Sequence, residues 1–196
     1  MRNEKTKKLV GVALLAAVIV VLQTVASGIK IGQFTPTFSL IPIIIGAIMY
    51  GPLAGMFLGL VFGVVVVIAV LSGAEAFSTM MLTSNPAVTI FVCLFKGAMA
   101  GLIPGLVYKA IKGTNELVAT AVASVLAPVM NTGIFSIVLL TVFGPLAESV
   151  GLSLGFENAG QFVIAGIIGL NFLVELGINI VLVPAVTRVI KALDRR

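Results

Sequence analysis

"IPIIIGAIMYGPLAGMFLGLVFG" runs from Ile41 to Gly63, apolar throughout and broken at one point by a Gly-Pro pair. "YGP" (Tyr50 to Pro52) reads as a tight turn, because proline fits the first turn of a helix that starts there. The turn leaves a short helix before it, Leu40 to Tyr50, and a longer one after it, Leu53 to Leu71. Two apolar helices joined by so little polar chain suit a bilayer better than a water-soluble core. Gly51, Gly55, Gly59 and Gly63 recur every four residues, a stripe that lets helix backbones approach closely.

Composition extends this reading to the whole chain. Of 196 residues, 60% are hydrophobic and only 10% charged, against roughly 25% charged in an ordinary soluble domain. Mean hydropathy is +1.24. The chain reads as an all-α integral membrane protein forming a single membrane domain, 1–196. With no histidine and one cysteine, Cys93, it has no His/Cys metal site, no intramolecular disulfide and no nucleophile–histidine pair. An enzyme is excluded on that ground, and no G-x-x-x-x-G-K-[ST] loop for ATP is present.

Six apolar runs follow from a requirement of about 20 residues per crossing. They are 9–26, 40–50, 53–71, 87–110, 117–143 and 161–190, and the second is short for a span. The run at 72–86 reads as a loop with room for a short interfacial helix, and "GPLAESVGLSLGFENAG" (144–160) reads as a loop. Six spans place both termini on one side. Ten basic residues, from Arg2 and Lys5 through Lys109 and Lys112 to Arg196, fall on that side, and only Lys30 falls on the other. The positive-inside rule makes the termini cytoplasmic. The net charge of +5 therefore reports orientation and calls for no nucleic acid. The basic head and first apolar run could also be a signal peptide, but the run is long for one and reads as a retained helix.

Polar residues inside the spans carry the functional argument. Lys96 sits in "FVCLFKGAMAGL" (Phe91 to Leu102), about 14 Å below the start of its span at 1.5 Å per residue. Even the lower estimates put a charge at mid-membrane at about 2.5 kcal/mol. Asn131, Asn171 and Glu175 fall at similar depth on two other spans. Asn171, Glu175 and Asn179 are spaced by four and so share a helix face. Two readings stand. In one, Lys96 and Glu175 neutralise each other and the asparagines hold helices together. In the other, Lys96, Asn131, Asn171 and Glu175 line a substrate pocket. Asn179 is deeper and suits a structural role. Asn85 and Thr89 could line an outer entrance, although Asn85 before Pro86 also suits a turn. Glu75, Glu148 and Glu157 read as ordinary solvated loop residues.

The Ile41–Gly63 stretch resembles the second-to-third helix signature of substrate-binding S components of energy-coupling factor (ECF) vitamin transporters. Size, span count and the long first outer loop agree. The resemblance implies a six-transmembrane-helix bundle in a bacterial or archaeal cell membrane that captures a small-molecule vitamin from outside. It implies a lid from the first outer loop, for which Gln33, Phe34 and Thr35 are the candidates, and a pocket built largely by helices four to six. It also implies docking of an A-x-x-x-A motif, matched by Ala13 and Ala17, on a membrane coupling subunit served by two cytosolic ATPases. The S component is thought to topple in the membrane to release its cargo. ATP is used by those partners, and this chain binds no cofactor.

"PVMNTGIF" (Pro128 to Phe135) is similar to pantothenate-type members. Pantothenate offers a carboxylate to Lys96 and amide and hydroxyl groups to Asn131 and Asn171. Glu175 opposes an anion unless Lys96 separates the two. Phe34, Phe38, Phe135 and Phe172 could supply apolar walls, and with no tryptophan and two tyrosines riboflavin comes second. A stand-alone transporter coupled to ions through Lys96 and Glu175, or a scaffold without ligand, would place the same residues differently.

Overall fold

The computed structural model describes residues 2–26 and 37–194. Within them the chain folds into helices: α1 (Arg2–Ala26), α2 (Leu40–Tyr50), α3 (Pro52–Leu71), α4 (Ala76–Ser84), α5 (Pro86–Ile111), α6 (Glu116–Val142), α7 (Gly144–Ser153) and α8 (Ala159–Gln161). α8 runs on through a π-helical segment, Phe162–Phe172, into α9 (Leu173–Asp194). Five helical stretches are long and apolar enough to cross a membrane. α2 is not among them. Its 11 residues rise about 16 Å, roughly half a hydrocarbon core of about 30 Å. Of the six apolar runs expected, the one read as short for a span is thus a half-length helix, and five candidate spans stand among the described residues.

The direction of each helix can be read from the places where glycine is forced. A side chain on Gly11 would collide with the Tyr50 hydroxyl, and one on Gly46 would meet Leu15 at 3.3 Å, so α1 and α2 run antiparallel. Gly51 turns the chain between α2 and α3 at φ +95°, a backbone conformation that favours glycine. α3 and α5 then interlock along their glycine stripes. A methyl group on Gly59 would strike the Gly97 carbonyl, and one on Gly101 would strike the Gly55 carbonyl. On Gly63 it would sit 2.8 Å from the Cys93 carbonyl. In a bilayer, helix pairing is driven by such close packing, since lipid is as apolar as the helix faces.

Local chemistry fixes the helix starts. Asn85 caps α5 by accepting from the Val88 amide at 3.2 Å, and Pro86 follows at the first position. Asn115 caps α6 by accepting from the Leu117 and Val118 amides. Pro104 and Pro128 lie inside α5 and α6, where each leaves one carbonyl without its intrahelical donor.

Alternating directions put Tyr50–Pro52, residues 111–116, the start of α1 and the end of α9 at one end of the bundle. Residues 37–39, α4 and α7 lie at the other. The segment 144–160, expected as a loop, instead forms α7 and α8. Ala147 is fully buried, and a methyl on Gly151 would meet Phe162, so α7 is held on the bundle. α4 is likewise seated by Phe77 and Met81, both buried. Phe77 packs edge-on against Phe135 at 6.4 Å and Phe162 at 5.7 Å between ring centroids. Among the candidate spans, α1 is the least buried. Val10, Leu14, Val21 and Val25 on it are exposed, as a bilayer-facing helix requires.

Candidate functional site

Beneath α4, seven parts of the chain converge on a cavity of about 60 Å³. α3 gives it Phe62 and Val66, α5 gives Lys96, α6 gives Asn131, Thr132 and Phe135, and the π-helical segment gives Ile167. Gln23 of α1, Thr37 ahead of α2, and Glu75 and Ser78 of the α4 region complete the walls.

Lys96 extends across this space. Its Nζ lies 4.9 Å from the centroid of the Phe135 ring. That is a cation–π distance, which offsets part of the cost of placing an ammonium here. Among the described residues, no ion pair joins Lys96 to Glu175. The structural-pair reading therefore loses its contact.

Glu175 is 1% exposed and stands behind the cavity rather than on its wall. Its Oε1 accepts from the Thr37 amide at 3.2 Å, so α9 holds the chain just ahead of α2. The Asn131 side chain lies beside the same carboxylate. Asn179 donates through Nδ2 to the Glu175 carbonyl at 2.8 Å. Four polar atoms of this region, Asn131 Oδ1, Ser136 Oγ, Glu175 Oε2 and Asn179 Oδ1, are buried with no hydrogen-bond partner among the described residues. Each unmet group costs about 1–3 kcal/mol, a debt that a ligand or water can offset.

The expected site residues thus divide. Lys96 and Asn131 line the cavity with Phe135, and Glu175 touches Asn131 from behind. Asn85 caps α5 and does not line the cavity; its polarity is used by the Val88 amide. Thr89 is buried, and its hydroxyl is spent on the Asn85 carbonyl. Phe38 and Phe172 are not on the walls. Gln33, Phe34 and Thr35 lie outside the described residues, as does the Asn171 side chain. The backbone at Asn171 is π-helical, so four-residue spacing joins one face only between Glu175 and Asn179.

Five polar wall residues were not foreseen: Gln23, Thr37, Glu75, Ser78 and Thr132. Gln23 carried a signal, being an uncharged polar group inside the first apolar run. It is 3% exposed and accepts from Ser39 Oγ at 3.1 Å. Glu75 corrects an expectation outright. Read as solvated, it faces the cavity because α4 folds back over the bundle, whereas Glu148 and Glu157 are exposed.

Comparison with known proteins places this bundle. The family described as "ECF transporter, substrate-specific component" matches residues 7–187. The chain belongs to that family. It is therefore a multi-pass membrane protein that serves as the substrate-binding part of a vitamin transporter, in a family whose members associate with coupling and ATPase subunits. No curated protein matches it significantly in sequence. A solved structure of ThiT from Listeria monocytogenes is similar in fold, with a TM-score of 0.60 and 21% identity over 96% of this chain and 99% of that one. At that identity the likeness is one of architecture.

Proposed function

We propose that this ECF substrate-specific component captures a carboxylate-bearing micronutrient at the cavity beneath α4 and hands it to a membrane coupling subunit driven by two cytosolic ATPases. One observation carries the reading. Lys96 places an ammonium against Phe135 in a cavity where no described carboxylate pairs with it, beside the unpartnered Oδ1 of Asn131. A half-buried cation held in no ion pair attracts an anion. Asn131, Thr132, Gln23 and Ser78 then meet amide and hydroxyl groups of the cargo.

Pantothenate has this chemistry and is the cargo we place first. Neither the family match nor the likeness to ThiT supports that choice over another vitamin; the Lys96–Asn131 arrangement does. Glu75 on the opposite wall favours a second reading, a cargo with a cationic end, for which thiamine is the test compound. Riboflavin needs broad aromatic walls, and among the described wall residues only Phe62 and Phe135 are aromatic. A cavity of about 60 Å³ holds a few waters. Admitting a vitamin therefore requires Phe62, Phe135 and α4 to move apart.

In this proposal the basic end of the bundle is cytoplasmic, so the cavity opens from outside. The chain forms one membrane domain and itself binds no cofactor. Ala13 and Ala17 are exposed on α1 and form the docking motif for the coupling subunit. The decisive experiment is to purify the chain alone in mild detergent, release any bound small molecule by denaturation, and identify it by mass spectrometry. Titration with pantothenate, thiamine and riboflavin follows. Stoichiometric or saturable pantothenate supports the proposal. Selective binding of thiamine moves the assignment to the second reading, and binding of none of the three refutes the cargo assignment.

A further inference from the structure

A second recess lies at the opposite end of the bundle, away from the proposed cargo site. Tyr50, Gly51 and Pro52, at the turn from α2 to α3, form one side of it. Gly105, Tyr108, Lys109 and Lys112, at the end of α5, form the other. Its volume is about 300 Å³. The two sides meet closely because a methyl on Gly105 would sit 2.8 Å from the Pro52 Cα.

Its composition is distinct from that of the rest of the surface. The chain has two tyrosines, and both are here. Lys109 and Lys112 are three residues apart, so they share one face of α5, and both are exposed. No ion pair involving either is present among the described residues. More positive charge stands nearby. Tyr50 packs on Gly11 of α1, and Lys7 and Lys8 lie one turn before Gly11 on that helix. A recess between apolar helices, with tyrosine walls and lysines at its mouth, is placed at the depth where lipid headgroups meet water.

We infer that this recess binds the headgroup of an anionic phospholipid, with Lys109 and Lys112 on the phosphate and Tyr50 and Tyr108 against the glycerol and upper acyl carbons. Charge complementarity selects the ligand class, since basic pockets between membrane helices hold anionic headgroups. Ala47, Ile48 and Met49 of α2 give the recess an apolar lining beside the lysines, as a bound lipid requires and a free ion does not. Helix-end lysines also complement the α5 dipole. That role needs neither the tyrosines nor a recess and predicts no lipid preference.

The test uses the full chain purified in detergent, with its unfolding temperature followed as lipid is added. Phosphatidylglycerol is expected to raise that temperature by several degrees and phosphatidylcholine by less. The Lys109→Gln/Lys112→Gln double variant is expected to lose the difference while binding cargo with unchanged affinity, which shows that it is folded. Equal effects of the two lipids, or an undiminished phosphatidylglycerol effect in the double variant, would overturn the site. If inorganic phosphate alone reproduces the shift, the recess takes free anions and the lipid assignment is wrong.

Discussion

At the residue scale, the question is why an ammonium is kept among apolar helices. Lys96 stands over Phe135 and within reach of Asn131, so its energy is managed by a ring face and neighbouring dipoles rather than by an ion pair. If that arrangement serves to hold a carboxylate, Lys96→Met should weaken cargo binding tenfold or more, about 1.4 kcal/mol. Methionine preserves length and packing, so the variant should still fold. Unchanged affinity, measured by calorimetric titration of the folded variant, would remove Lys96 from the pocket. Glu175 makes a different prediction. Its Oε1 satisfies the Thr37 amide, a backbone donor that is otherwise buried. Glu175→Gln can keep that acceptor, whereas Glu175→Ala leaves the amide unmet at a cost of about 1–3 kcal/mol. Glu175→Ala should therefore lower the unfolding temperature well below that of Glu175→Gln. Equal loss in both would mean that the charge, and not the hydrogen bond, is what matters.

At the scale of elements, the α3–α5 pair is the most constrained contact in the molecule. Gly59→Ala drives a methyl into the Gly97 carbonyl, which is backbone and cannot rotate away. Overpacking of this kind costs about 1–3 kcal/mol. Gly113→Ala meets open space and should leave stability nearly unchanged. Comparing their unfolding temperatures in one detergent checks the claim, and similar values would mean that α3 and α5 are not locked as described. The glycine spacing that carries this contact was legible in the sequence, because a four-residue stripe has one natural use in a membrane helix. α7 was not legible. Its ten residues are held by the buried Ala147 and by Gly151 against Phe162, packing that local periodicity does not show. The same holds for Glu75, whose exposure depends on where α4 lands. The π-helical stretch Phe162–Phe172 changes the phase of the last span, so counting residues by fours from Asn171 gives a face the helix does not have. Lys96 and Asn131 could be found from sequence because depth alone brought them level. Gln23, three residues from the end of its run, is not level with them, and depth alone did not single it out.

At the scale of the whole molecule, the two ends of the bundle differ in kind. One holds the cavity with α4 over it, and the other holds the recess with Lys109 and Lys112 and the first turns of α1. Between them, α1 turns an apolar face outward: Val10, Leu14, Val18, Val21 and Val25 are all exposed, with Ala13 and Ala17 between them. Lipid alone would accept larger residues at those two positions. Small side chains spaced by four are what a second helix needs to approach the backbone. If the coupling subunit packs there, the Ala13→Trp/Ala17→Trp double variant should bind cargo normally when purified, since neither residue lines the cavity. The same variant should fail in uptake by cells that supply the coupling and ATPase subunits, and should not copurify with them. Lost binding in the isolated protein would point instead to a folding role for this face of α1. Normal uptake by a variant that still assembles would place the docking surface elsewhere on the bundle.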